Sequence, residues 1–252
     1  MVFLRRLLIN TLGLESYLGL VSHIYIYVTG KGFLKKKYPE LFQLHKIIKP
    51  GFHCIDIGAN LGYYSVKLSK IVGETGKVYA VEPVPLFYKI WSKNTKRFGS
   101  KNLELFPYAL GEAECTITMG MPVVDGLAHH GMTKVVTGNG ETYAASFDAK
   151  MVNPDVLFSG ITKLDFVKCD IEGYENVAFR NMAATINRFK PLIQSELGGD
   201  ENRKAVITQL ESAGYTTCVL QNGLFVQASG TVKQLHSSDF YFLHEKHKTL
   251  IK

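Results

Sequence analysis

The stretch Phe52-His53-Cys54-Ile55-Asp56-Ile57-Gly58-Ala59-Asn60-Leu61-Gly62-Tyr63-Tyr64-Ser65 reads as a strand, a glycine turn and the start of a helix. Phe52, Cys54, Ile55 and Ile57 make a short apolar run, suited to the interior of a parallel sheet. Asp56 interrupts that run just before the turn, where a buried carboxylate is costly without a partner. Gly58 and Gly62 permit backbone angles or close approaches that a Cβ hinders. Residues 63–71 continue as a helix whose free N–H groups face the turn. Strand, turn and helix N-terminus together form a site for a nucleotide-like ligand.

Further apolar runs follow at intervals. Residues 77–82, 103–106, 164–170, 191–196, 215–220 and 239–243 read as strands. Helices are expected at 39–48, 86–98, 175–187 and 202–213, with Phe87, Ile90, Trp91 and Thr95 inward on the second. Strands alternating with helices predict an α/β fold, a doubly wound and mostly parallel sheet. In such sheets ligands bind off the carboxyl ends of the strands. Asp56, Glu82, Asp170 and Glu196 all fall at that edge. Helix capping accounts for one or two such acids, less readily for four.

The turn lacks the second glycine of a G-x-G-x-x-G dinucleotide site, having Asn60 there, and no G-K-[ST] phosphate loop ending is present. Asp56 would repel a pyrophosphate and suit a cationic ligand. S-adenosylmethionine has an ammonium, a sulfonium and no phosphate. Glu82, 20 residues beyond Gly62, can accept hydrogen bonds from ribose hydroxyls.

Three segments carry a family resemblance: Asp56-Ile-Gly58-Ala-Asn60-Leu-Gly62, Val78-Tyr-Ala-Val-Glu82-Pro83 and Phe166-Val-Lys168-Cys-Asp170-Ile-Glu172-Gly173. In this order and spacing they resemble the FkbM-type methyltransferases, and 191–196 is similar to that family's next segment. The resemblance implies a Rossmann-like class I methyltransferase fold, S-adenosylmethionine as cofactor, and O-methylation of a hydroxyl on a small molecule, sugar or lipid-linked glycan. Asp56, Gly58, Asn60, Gly62, Glu82 and Pro83 are then expected at the cofactor, with Tyr108 and Ala109 bordering the adenine. Asp170 is the first candidate to contact the acceptor or act as base, supported by Glu172 and Glu196. Glu172 has a competing role as a cap on the helix that follows, and Lys168 can pair with a carboxylate.

The chain has 252 residues, 46% hydrophobic and 20% charged, enough for a substantial core. It divides into an N-terminal helical extension, 1–50, and a methyltransferase domain, 51–252. The net charge of +7 favours anionic partners, but the positive charges are scattered. The densest run, Lys35-Lys36-Lys37, reads as a solvated loop. No N-P-P-Y tetrapeptide or basic stripe with interleaved aromatics is present, so nucleic acid is the alternative acceptor and not the expected one. A non-catalytic binding protein on a methyltransferase scaffold is the other alternative, disfavoured by the intact cofactor pattern.

Four cysteines without a C-x-x-C pair fit reduced thiols and the cytoplasm. Arg5-Arg6 before Leu7 resembles a signal peptide start, but Glu15 interrupts the run. Leu7, Leu14, Tyr17, Leu18, Val21, Ile24, Tyr25 and Val28 fall on one helical stripe. The uncharged piece 16–30 is shorter than the ~20 residues of a spanning helix. It is expected to pack on the domain, with peripheral membrane contact as the alternative. Residues 120–140, rich in Gly, His and Met, read as a mobile loop over the site. His129 and His130 are adjacent and poorly disposed to share one ion, so no metal site is expected.

Overall fold

The computed structural model describes residues 2–124, 126–136, 138, 141–236 and 239–251. Three helices come first: α1 (Val2–Leu12), α2 (Leu14–Gly30) and α3 (Pro39–Ile47). The sheet then begins with β1 (His53–Ile57), α4 (Tyr63–Val72), β2 (Lys77–Val81), α5 (Pro85–Phe98) and β3 (Leu103–Phe106). A separate antiparallel unit follows: β4 (Ala109–Leu110), β5 (Cys115–Val124), β6 (Leu127–Ala128), β7 (Lys134–Val135) and β8 (Tyr143–Val152). The short α6 (Pro154–Leu157) leads back to the sheet through β9 (Phe166–Cys169), α7 (Glu175–Asn181), α8 (Ala183–Phe189) and β10 (Leu192–Ser195). The chain finishes with α9 (Asp200–Ser212), β11 (Tyr215–Gln221), β12 (Leu224–Gln227), α10 (Gly230–Leu235) and β13 (Phe240–His244).

The main sheet has the order β12-β11-β13-β10-β9-β1-β2-β3. Strands β3, β2, β1, β9 and β10 pair in parallel, whereas β13 runs antiparallel to both β10 and β11. Alternating side chains feed two cores, one on each face. Cys54 joins the cluster of Leu44 and Leu68, whereas Ile55 and Ile57 join that of Phe179 and Leu210. This is the doubly wound α/β arrangement of class I methyltransferases, with β1 near the middle and therefore buried on both faces. All four residues expected inward on α5 are buried.

Two expectations need correction. The helical stripe of residues 7–28 is broken at Gly13, which takes φ 77° and separates α1 from α2. The buried face of α2 is Leu18, Ser22, Ile26 and Thr29, while Val21 and Ile24 point outward. Apolar residues occur all round this helix, so periodicity could not phase it. A polar contact does so instead: Asn94 Nδ2 donates to Ser22 Oγ (2.9 Å) and to Leu61 O (2.8 Å), tying α2 and α5 to the glycine turn.

Residues 120–140 are not a structureless loop. Strand β5 extends to Val124, β6 and β7 follow, and a 3-10 turn spans His130–Met132. Gly120, the first residue of the expected loop, lies within β5 against the Tyr143 ring, where a Cβ would lie 2.4 Å from ring carbons. Positions 125, 137, 139 and 140 lie outside the described residues.

Candidate active site

The carboxyl edge of the parallel strands opens into a cavity of about 250 Å³. The strand register explains why the acids meet there. Ile57 is level with Val81 and with Cys169, and Cys169 with Ser195. Glu82, Asp170 and Glu196 therefore emerge from β2, β9 and β10 at one height, with Asp56 of the intervening β1 two residues inside. Asp56, Gly58, Asn60, Glu82, Pro83, Asp170 and Glu172 line the cavity.

The turn is built by backbone. Gly58 and Ala59 both donate N–H groups to Val81 O at 3.0 Å, locking the turn onto β2. Gly58 has φ 78°, and a Cβ there would lie 1.9 Å from Asp170 O. Only glycine lets β1 leave the sheet this close to the chain leaving β9. Gly62 takes φ 96° as the N-cap of α4. It is not part of the cavity lining; its work is the entry into the helix.

Glu82 is buried, and its carboxylate accepts the Asn60 N–H (2.7 Å) and the Val84 N–H (2.9 Å). Two bonds leave lone pairs free on a group that can accept about four. Burial pushes Glu82 up to about 7, against the pull of those N–H groups. Asp56 accepts the Ser65 hydroxyl at 2.5 Å, and Ser65 Oγ in turn accepts the Trp91 indole N–H at 2.8 Å. Burial also raises Asp56, to about 6. Asn60 is held at φ 48°, and its buried Oδ1 lacks a hydrogen-bond partner.

On the other side of the cavity stands Lys168, buried within β9. Its ammonium lies 3.5 Å from Asp170 Oδ2 and 3.4 Å from Asp239 Oδ1. Burial alone would lower its pKa, but Asp239, Asp170 and Glu196 outweigh burial and raise it. Gln194 Nε2 donates to the second oxygen of Asp239 at 2.8 Å, so that carboxylate is held from both sides.

Asp239 is absent from the sequence reading because no local pattern reveals it. It reaches this edge because β13 runs antiparallel, placing its first residues beside the ends of the parallel strands. Glu175 was likewise missed. It is fully buried and accepts the N–H groups of Ile171 (2.9 Å) and Gly173 (3.1 Å) and the Asn202 amide (2.7 Å). No side chain caps α7, whose N-cap is Tyr174; Glu175, the second glutamate of the D-x-E-G-x-E segment and the first residue of that helix, instead ties down the turn that precedes it. Glu172 itself is exposed at φ 55°. Burial of its carboxyl and then the Asp170 charge raise it to about 7. Glu196, exposed beside Asp170, is raised to about 7 for the same two reasons.

Tyr108, Ala109 and Glu196 do not line the cavity. Ala109 belongs to β4 and pairs with Met151 of β8. The β5–β8 unit closes the cavity instead, through Met119, His130, Gly131 and Thr133. His130 meets Phe87 edge-on at 6.1 Å, and burial, then the nearby Arg5, lowers its pKa to about 4. Among the described residues, no group of three or more His, Cys, Asp or Glu side chains is placed to hold a metal ion.

A family model, the methyltransferase FkbM domain, matches residues 56–217. The chain belongs to this family. A solved FkbM methyltransferase from Methylobacillus flagellatus has the same fold, with a TM-score of 0.50 and 14% identity over 79% of this chain and 49% of that one. Among curated proteins, a probable cobalt-precorrin-6B C(15)-methyltransferase from Sulfolobus acidocaldarius is 42% identical over 55 residues, 22% of this chain and 29% of the relative. A protein-L-isoaspartate O-methyltransferase from Methanococcus maripaludis is matched over only 26% of its length. The chain thus spans under a third of the length of these two relatives. A ribosomal RNA large subunit methyltransferase E from Xanthomonas euvesicatoria is 24% identical over 60% of this chain and 76% of the relative.

S-adenosylmethionine is the cofactor of this FkbM chain, and the cavity suits it. Four carboxylates line the cavity; one of them, Asp170, pairs with the single ammonium, Lys168, which Asp239 also holds, and Asp56, Glu82 and Glu172 have no cationic partner there. That balance favours a cationic ligand over a phosphate. The unpartnered Asn60 Oδ1 and the free lone pairs of Glu82 are acceptors for its donor groups.

Proposed function

We propose that the protein transfers the methyl group of S-adenosylmethionine to a hydroxyl of a small molecule, sugar or lipid-linked glycan. The observation that supports this most is the layout around Glu172. On one side lies the cofactor cavity, and on the other an open cleft of about 800 Å³ that Glu172 also lines. The cofactor supplies an electrophilic methyl on a sulfonium. In our reading Asp56, Asn60 and Glu82 orient it, and the Gly58 turn brings the backbone close. Asp170 lines the cavity two residues from Glu172, is braced by Lys168, and in this reading receives or positions the acceptor hydroxyl. Glu172, raised to about 7, faces both spaces and is matched to accept a proton near neutral pH, while Glu196, also raised to about 7 but lining neither, acts only in support through its charge beside Asp170. The free cysteines Cys54, Cys115, Cys169 and Cys218 fit a reducing compartment, so a cytoplasmic location is part of the proposal.

Calorimetry with S-adenosylmethionine tests the donor half; absence of binding at millimolar cofactor would overturn it. Transfer of labelled methyl to a panel of sugars, lipid-linked glycans and RNA tests the acceptor half. The net charge of +7 and the ribosomal RNA methyltransferase relative favour RNA as the second reading. Labelling of RNA in preference to the hydroxyl panel would replace the first reading with the second.

A further inference from the structure

Among the described residues, nine of fifteen exposed large hydrophobic side chains fall between Leu4 and Leu34. On α2 they are ordered. Leu20, Ile24, Tyr27 and Lys31 follow at i, i+4, i+7 and i+11, one line along the helix. That line is diametrically opposite Leu18, Ser22, Ile26 and Thr29, which face the domain. Ile24 is 51% exposed and Tyr27 55%, and Phe33 in the next turn is 64% exposed. So α2 has two faces. The inner face is docked by the Asn94–Ser22 bond and by Glu15, which pairs with Lys89 at 2.8 Å and Lys93 at 3.0 Å. The outer face has nothing on it among the described residues.

The charge pattern identifies what fits there. Residues 16–38 contain no Asp or Glu, and their four lysines, Lys31, Lys35, Lys36 and Lys37, are all exposed. They cluster at the end of the apolar line, where Lys31 stands over the Tyr27 ring at 5.8 Å. Aliphatic side chains, an aromatic belt and a cluster of lysines without acids are the elements of an interfacial helix on anionic lipid. Tyr and Phe favour the headgroup depth, and lysines extend to the phosphates. No described helix is long and apolar enough to cross a membrane. We propose that the outer face of α2 and the 31–37 turn dock the protein on an anionic membrane surface, with the helix lying in the plane of the interface. Lys35, Lys36 and Lys37 are an exposed turn, as the sequence predicts, and the proposal adds a lipid surface as what they meet.

Flotation of the full chain with vesicles tests this. Binding is expected to phosphatidylcholine vesicles that contain phosphatidylglycerol, and at least roughly tenfold less to phosphatidylcholine alone, with the difference shrinking as salt rises. The K35E/K36E/K37E variant should lose at least tenfold in binding to the anionic vesicles, and I24D/Y27D should lose it to both kinds. Both variants alter surface side chains only, so their affinity for S-adenosylmethionine and their melting profiles should match the parent's. Equal binding to both vesicle types, binding to neither, or undiminished binding by the variants overturns the proposal. So does light scattering that finds a dimer of the parent chain dispersed by I24D/Y27D, which would make a second copy the occupant.

Discussion

The two walls of the cavity are built on different principles. The wall formed by β1, β2, β9 and their turns is buried and held by backbone. Gly58 fits under Asp170 O, Glu82 is gripped by two N–H groups and Glu175 by two more plus an amide. The facing wall, β5 to β8, is a long antiparallel ribbon whose outer residues alternate with solvent. It touches the cavity with a few side chains and is anchored from α1, where Arg5 Nη2 donates to Ala128 O at 2.5 Å. The first wall is shaped for one invariant ligand. The second is divided: Met119, Met121 and Ala149 pack into a core cluster with Leu18 and Phe87, whereas His130, Gly131 and Thr133 meet the cavity from outside that cluster.

The most damaging test of the first wall is Gly58→Ala. With a positive φ and a Cβ 1.9 Å from a backbone oxygen, the turn must open. A loss on the order of 3 kcal/mol in thermal or denaturant unfolding is expected, together with loss of cofactor binding. Wild-type stability in this variant would mean that the turn is not rigid. Next come Asp170→Ala and Glu82→Ala, which divide the roles. Asp170→Ala should reduce turnover about a hundredfold with a smaller change in cofactor affinity, whereas Glu82→Ala should weaken cofactor binding at least about tenfold. Equal losses of cofactor affinity in the two variants would erase the division.

A pH experiment probes the buried carboxylate itself. Glu82 titrates near 7 folded but at 4.5 as a free side chain. Between those values the folded protein holds a proton that the unfolded chain has released, so this group's contribution to stability falls as pH rises through the window. Between about pH 5 and 7 the change is on the order of 2 kcal/mol. Glu82→Gln removes it, so melting of the variant relative to the parent should improve as pH rises. No trend would show that Glu82 is more hydrated than its burial indicates.

On the facing wall, His130→Ala should change the acceptor KM by roughly threefold to tenfold while leaving cofactor affinity nearly unaltered. A larger effect on the cofactor would merge the two walls functionally. The smallest effect is expected for Glu15→Ala, whose exposed pairs with Lys89 and Lys93 contribute little in water. Its melting temperature should barely move.

Local chemistry made much of the first wall legible beforehand. An apolar run, an acid and two glycines specify a strand, a turn and a helix start. The same grammar repeated in later strands brings Glu82, Asp170 and Glu196 to one edge, because parallel pairing puts strand ends level. The main strands of the second wall also show in the sequence, by alternation over 114–119 and 142–151; only the stretch between them, 120–140, is read as a loop where the structure continues β5 and adds β6 and β7. Gly120 accommodates a ring rather than making a bend, and glycine looks the same in both uses.

What lay in the order of residues was therefore the donor side: the strand–turn–helix unit at Asp56 to Gly62 and the acids that recur at strand ends. These follow from periodicity and backbone sterics over a few neighbours. What required the assembled fold was the placement of Asp239, brought to Lys168 by one reversed strand, and the phase of α2. That helix is apolar all round, and tertiary contacts, the Asn94–Ser22 bond, the packing of Leu18 and the Glu15 pairs, decide which side faces the protein and which is left to meet something else.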